Sequence, residues 1–135
     1  MSLTLETRDL TIRFGGHVAV NKVSCTFHPG ELTAIVGPNG AGKTTYFNLI
    51  SGQLRPTGGD VLLGGEDITV PPRGSRARRR RARAVQRVHQ DPYLSLDPRQ
   101  TARRAIDEAQ RLHFDGTAAE RDARLRELTD AVGLT

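Results

Sequence analysis

Residues 37–44 read G-P-N-G-A-G-K-T, which satisfies the pattern G-x-x-x-x-G-K-[ST]. These residue types in this order suit one task, the holding of a polyphosphate. Several negative charges close together need many donors at short range. Gly37, Gly40 and Gly42 lack the Cβ atoms that would block the backbone, so N–H groups of the loop can turn inward as an anion nest. The loop opens a helix, and the helix N-terminus favours negative charge. Lys43 can reach the β- and γ-phosphates as a mobile cation. The Thr44 hydroxyl is the expected Mg²⁺ ligand, and Thr45 can add a phosphate contact. The candidate nucleotide-binding residues are thus Gly37, Pro38, Asn39, Gly40, Ala41, Gly42, Lys43, Thr44 and Thr45. A fortuitous glycine-rich turn would match the same pattern. The setting between an apolar run and a helix argues for phosphate.

Elements on either side must position that loop. Residues 3–14 alternate as a strand with one wet face, Gly15-Gly16 marks a turn, and residues 17–27 read as a second strand. Residues 32–36 (LTAIV) form a nearly continuous apolar run, which predicts a strand buried on both faces. Residues 43–51 are helical in character, with Gly52 placed to stop them. A further strand is expected at 60–63 and a turn at Gly64-Gly65, and Val70-Pro71-Pro72 cannot continue a central strand. The arginine-rich stretch 73–83 fits an exposed helix or a loop, and residues 84–89 read as a short strand. Two helices follow. Pro98 suits the opening turn of the first, whose Ala102, Ala105, Ile106 and Ala109 share a face. Thr117 and Glu120 make a capping box for the second, with Leu125, Leu128 and Val132 at helical spacing and Gly133 as its stop.

A chain of 135 residues can bury one modest core. Aromatics are 4% of it and Trp is absent, so that core must rest on Leu, Ile, Val and Ala. The single Cys25 excludes an internal disulfide and fits a reducing setting. It alternates with Val23 and Phe27, which predicts buried packing. No apolar run approaches the roughly 20 residues that cross a bilayer, and residues 1–10 lack a secretory-signal pattern. Any membrane role is therefore expected to be peripheral. The net charge of +5 is local in origin. Eight arginines and no acidic residue lie in residues 73–87; setting them aside leaves 12 basic residues against 15 acidic, a net of −3.

The string RFGGHVAVNKVSCTFHPGELTAIVGPNGAGKTTYFNLISGQLRPTGGDVLL resembles the ATPase subunits of branched-chain amino acid importers, within the ABC transporter nucleotide-binding subunits. VHQDPYLSLDPRQT and the ending RLRELTDAVGLT resemble those of dipeptide and oligopeptide importers. The change falls between about residues 64 and 84, so a fusion of two ATPase fragments and divergence of one lineage both stay open. The resemblance implies an α/β fold of the P-loop NTPase type, with an N-terminal antiparallel β portion and a C-terminal helical portion. It implies three stretches of one incomplete nucleotide-binding domain: the β portion and loop core at 1–72, the arginine-rich segment at 73–87, and the Q-loop with the start of the helical subdomain at 88–135. It further implies ATP and Mg²⁺, adenine stacked on Phe14 with Val20 packed beside the ring, and Gln90 as the Q-loop glutamine that helps hold Mg²⁺. Residues 91–97 would then face a transmembrane partner. The expected partners are the permease subunits of an importer and a second nucleotide-binding subunit, at the cytoplasmic face of a membrane.

Two parts of the family's hydrolytic apparatus do not occur in the 135 residues. There is no LSGGQ signature, and no apolar run ends in the Asp-Glu that supplies the water-polarising glutamate. None of His17, His28, His89 or His113 matches the family's switch histidine. Phosphoryl transfer depends on positioning and charge stabilisation, so weak nucleotide binding without turnover is expected of these residues alone. The sheet would also lack the strands that flank the loop's own strand, leaving edges and apolar faces uncovered. Three other readings compete. A small P-loop kinase or GTPase lacks support from residues 88–97, which supply no Asn-Lys-x-Asp. A nucleic-acid module built on residues 73–87 would have no interleaved aromatics and no recognised binding fold. A solvated basic face toward the membrane partner or anionic headgroups suits that block better. A fragment without function of its own shares every motif.

Overall fold

A computed structural model of the chain describes residues 3–70, 73–91 and 96–134. The chain divides into two compact units, Met1–Arg81 and Ala82–Thr135.

The first unit is built on alternation. β1 (Leu5–Phe14) and β2 (His17–Phe27) pair as an antiparallel hairpin across the Gly15-Gly16 turn. β3 (Gly58–Leu63) adds to the other edge of β1, and the two-residue β4 (Glu66–Asp67) follows through the Gly64-Gly65 turn. The strand order is β2-β1-β3-β4, antiparallel throughout. Strict alternation would put Thr7 and Leu10 on opposite faces, yet both are buried. A β-bulge resolves this: Asp9 takes φ 45° between Thr7 and Leu10, and a second irregularity, on β2, has Lys22 at φ 48° beside Thr11. Each bulge turns the following side chain back to the core. Gly59 fits the irregularity, because a Cβ there would overlap the carbonyl oxygens of Arg8 and Asp9.

Helix α1 (Lys43–Ile50) lays Tyr46, Leu49 and Ile50 on that face, against Leu10, Ile12, Val20 and Val61. Its end is as expected. Gly52 adopts φ 77°, its amide reaches the Leu49 carbonyl, and the Gln53 amide reaches that of Asn48. α2 (Ser75–Ala84) settles the arginine-rich stretch as a helix with no buried residue. Arg81 holds it down by donating to the Ile68 carbonyl. The Arg81 guanidinium also lies across Gly52, beyond the C-terminal end of α1, where a cation is favoured. Burial lowers the pKa of Arg81, with Asp67 opposing.

The second unit pairs α3 (Ala102–His113) with α4 (Ala118–Ala131). Both parts of the Thr117–Glu120 capping box form. Gly133 stops α4 with φ 72°, its amide on the Asp130 carbonyl and that of Leu134 on Thr129. Asp122 of α4 accepts from Arg103 of α3 at 2.5 Å and from Arg126 of its own helix.

Five expectations are corrected. Residues 32–36 form no strand; Leu32 is 102% and Val36 87% exposed, and only Ile35 packs on the core. An extended segment becomes a strand only through neighbours that take its N–H and C=O groups, and none of the four strands pairs with it. Residues 84–89 form no strand either. The Arg/Ala run has high helix propensity and carries α2 through Ala84, leaving Val88 exposed. Cys25 is exposed on β2, the outer strand of the sheet, although its side chain reaches the Tyr46 hydroxyl. Pro98 lies ahead of α3, in a turn closed by the Gln100 amide on the Asp97 carbonyl, and Thr101 caps the helix through the Arg104 amide. On α3, Ala105, Ile106 and Gln110 face inward, whereas Ala102 and Ala109 are exposed. Of the segment 91–97, residues 92–95 lie outside the described residues, as do Pro71 and Pro72.

Candidate functional site

The loop 37–42 runs from the extended segment 32–36 into α1. The Ala41 amide closes a turn on the Pro38 carbonyl at 3.2 Å, with Gly40 at φ 84°. Gly42 caps the helix at φ 83° and accepts the Tyr46 amide through its carbonyl at 2.8 Å. No side chain caps α1, and its first turn carries no acidic residue. The opening amides of the helix are thereby left for a ligand, which is the arrangement an anion needs.

Two contacts seat the loop on the sheet. At Gly42 the backbone approaches Ala19 of β2 so closely that a Cβ would overlap the Ala19 carbonyl oxygen. Tyr46, one turn into α1, places its hydroxyl 2.8 Å from Thr7 Oγ1 in the interior. Burial is the main cause that pushes the Tyr46 phenol up to about 12; the Thr7 bond opposes it and Cys25 adds to it.

Lys43 folds over the loop and donates to the carbonyls of Gly37 at 2.6 Å and Pro38 at 2.7 Å. Its ammonium therefore lies at the mouth of the loop. Thr44 is exposed and Thr45 half-buried, and neither hydroxyl bonds to a described residue. Asn39, Gly40 and Ala41 are exposed. The nine loop residues are thus brought together.

The remaining predicted residues are placed separately. Phe14 ends β1 and is 50% exposed, a ring face that solvent can reach. Val20 is buried in the core with Ile12 opposite it and is close to Gly42. Gln90 lies exposed in the second unit, outside helix and strand. A cleft of about 400 Å³ opens between α3 and α4, lined by Arg103, Arg104, Arg111 and Arg121 with Asp107 and Asp122. Its Arg103, Arg111, Asp107 and Asp122 are consumed in ion pairs with one another. Among the described residues no cluster of His, Cys, Asp and Glu could hold a metal ion, and no helix is long and apolar enough to cross a membrane. Sequence reasoning missed Tyr46 and Thr7. The only signal was a polar aromatic at a core-facing helical position.

The loop and sheet correspond to known proteins. The family model described as "ABC transporter" matches residues 20–135. The mycobactin import ATP-binding/permease protein IrtB of Mycolicibacterium thermoresistibile is 41% identical over 128 residues, which is 94% of this chain and 21% of that protein. The high-affinity branched-chain amino acid transport ATP-binding protein BraF of Pseudomonas aeruginosa is 45% identical over 84 residues, 62% of this chain and 33% of that protein. The glutathione import ATP-binding protein GsiA of Escherichia coli O6:H1 is 39% identical over 117 residues, 86% of this chain and 18% of that protein. The chain thus spans a third or less of the length of these curated relatives.

Proposed function

The chain belongs to the ABC transporter family through its ATP-binding part, and we propose that it is the nucleotide-binding component of an importer for amino acids or peptides. The observation that carries this reading is the uncapped first turn of α1, with Lys43 folded across its mouth. Opening amides, a glycine loop and a mobile ammonium are what a triphosphate requires.

The residues fit the nucleotide. Lys43 would exchange the Gly37 and Pro38 carbonyls for phosphate oxygens, keeping its charge neutralised in both states. The Thr44 hydroxyl would hold Mg²⁺, an ion that keeps several waters and binds chiefly through phosphates. Adenine would stack on the exposed face of Phe14. Val20, whose side chain is in the core, would support the loop from beneath through Gly42. Gln90 keeps, as part of this proposal, the role of the Q-loop glutamine that answers to the permease.

Neither LSGGQ nor an Asp-Glu-terminated apolar run is present in residues 1–135. Turnover would need those groups, from further along a longer chain or from a second nucleotide-binding subunit. The component would work at the cytoplasmic face of a membrane, docked peripherally on transmembrane permease subunits that set the solute. The names of the relatives, an amino acid importer and a glutathione importer among them, support this class.

A fluorescent ATP analogue titrated with Mg²⁺ into the purified chain tests the reading. Saturable binding that Lys43→Ala abolishes is the expected result. No binding, together with a poorly folded far-UV spectrum, would favour the alternative of a fragment without function of its own.

A further inference from the structure

The bulges in β1 and β2 leave a polar socket in an otherwise apolar core. The β2 shift at Lys22 falls between the pairs Leu10–Val23 and Ile12–Val20, and the β1 shift at Asp9 between Thr7–Cys25 and Leu10–Val23. There the Thr7 hydroxyl does the work of the ladder: it accepts the Cys25 amide at 3.0 Å and donates to the Val23 carbonyl at 3.2 Å. A hydroxyl has one proton and two lone pairs. With its proton on Val23 and one lone pair on Cys25, Thr7 has one acceptor site left. The Tyr46 hydroxyl, 2.8 Å away, fills it as donor. Thr7 is 2% and Tyr46 6% exposed, so water does not compete.

Tyr46 is also the residue whose amide closes the first turn of α1 on Gly42. That turn has no side-chain cap to fix its direction. We infer that Tyr46 is a positioning residue for the phosphate loop, its hydroxyl docked in the Thr7 socket to fix where the opening amides of α1 and Lys43 point. This rests on the reading of the loop as a nucleotide site. It goes beyond that reading by assigning aim to a side chain that touches no ligand. The seat at Gly42 on Ala19 sets how close the loop lies to the sheet; the Tyr46 bond sets the rotation of the helix above it.

Removing the hydroxyl alone isolates the effect. Tyr46→Phe keeps the ring and leaves Thr7 with one idle lone pair, a small loss of the order of one hydrogen bond. Thr7→Ser keeps the socket. Thr7→Val strands the Cys25 amide and removes the Thr7 partner of the Tyr46 hydroxyl, so it serves only as a severe limit.

The experiment measures Mg²⁺-ATP affinity and amide hydrogen exchange for wild type, Tyr46→Phe, Thr7→Ser and Lys43→Ala, below every melting transition. Affinity is expected to fall about fivefold in Tyr46→Phe, the factor that one such bond commands, and to stay within twofold in Thr7→Ser. Exchange at the Tyr46 amide should quicken in Tyr46→Phe while that at Val61 in β3 is unchanged. If Lys43→Ala abolishes binding and Tyr46→Phe binds as wild type, the positioning role is overturned and the nucleotide site stands. If exchange quickens equally at Tyr46 and Val61, the hydroxyl is merely structural and the inference also fails. If Lys43→Ala has no effect, the nucleotide reading itself has failed. Should Tyr46→Phe not fold, the Thr7→Ser result decides, since loss of affinity there without loss of stability contradicts the socket.

Discussion

Replacing Gly42 by alanine separates two demands that the loop makes on one residue. Gly42 has φ 83°, a conformation that penalises any side chain by roughly 1–2 kcal/mol. A Cβ there would also fall 2.4 Å from the Ala19 carbonyl oxygen, which as backbone cannot rotate aside. Overpacking of this kind adds about 1–3 kcal/mol. Gly40 supplies the control, because its φ is 84° yet a Cβ meets nothing within 4 Å. Gly40→Ala should therefore lose only the conformational part, and Gly42→Ala about 2–5 kcal/mol. For the unit Met1–Arg81, which holds the loop, each 1 kcal/mol moves the midpoint by about 4–8 °C. Thermal melts followed by far-UV circular dichroism should place Gly42→Ala at least about 4 °C below Gly40→Ala. Equal melting temperatures would refute the seating of the loop on β2.

Three further outcomes follow from the helices. Glu120 has its pKa lowered, first by the Thr117 backbone bond and then by the Thr117 side chain. A depressed carboxylate contributes stability that is complete above its ordinary value of 4.5 and is lost as pH falls through the lowered one. Helicity of α4 should accordingly decline on acidification below that value, and the decline should be absent from Glu120→Gln; a pH titration by circular dichroism that finds both alike would contradict the capping box. Thr117→Ala should cost about 1 kcal/mol at neutral pH, read from urea denaturation. On α2, Arg76, Arg78 and Arg79 are exposed, and their side chains make no bond to a described residue. Changing all three to Gln should leave stability within about 0.5 kcal/mol and nucleotide affinity unchanged. Retention of the wild-type chain on DNA, salt-dependent and indifferent to nucleotide, would instead favour the nucleic-acid reading of that helix.

The legible parts of the sequence were those whose signals act locally. Gly52 and Gly133 stop their helices, and the Thr117–Glu120 pair starts one, because each needs only residues within one turn. The loop 37–44 stood out as a motif for the same reason: its glycines, Lys43 and Thr44 lie in one short stretch. Residues 32–36 misled because apolar character announces a demand for burial, while burial itself requires neighbouring strands that the described fold does not place there. Cys25 misled because alternation fixes a face and says nothing of whether that face is covered at the outer strand. The bulges at Asp9 and Lys22 carry no glycine or asparagine to mark positive φ. The Thr7–Tyr46 bond joins residues 39 apart and depends on those bulges, so it was out of reach of spacing arguments.

The most direct test of the central claim compares ATP, ADP and AMP by isothermal titration against the wild-type chain in Mg²⁺. A site made of opening amides, Lys43 and Thr44 recognises phosphates, so affinity should climb with each added phosphate and the climb should vanish in Lys43→Ala. AMP binding as tightly as ATP, or a climb that survives Lys43→Ala, would mean that the loop 37–45 does not hold the polyphosphate.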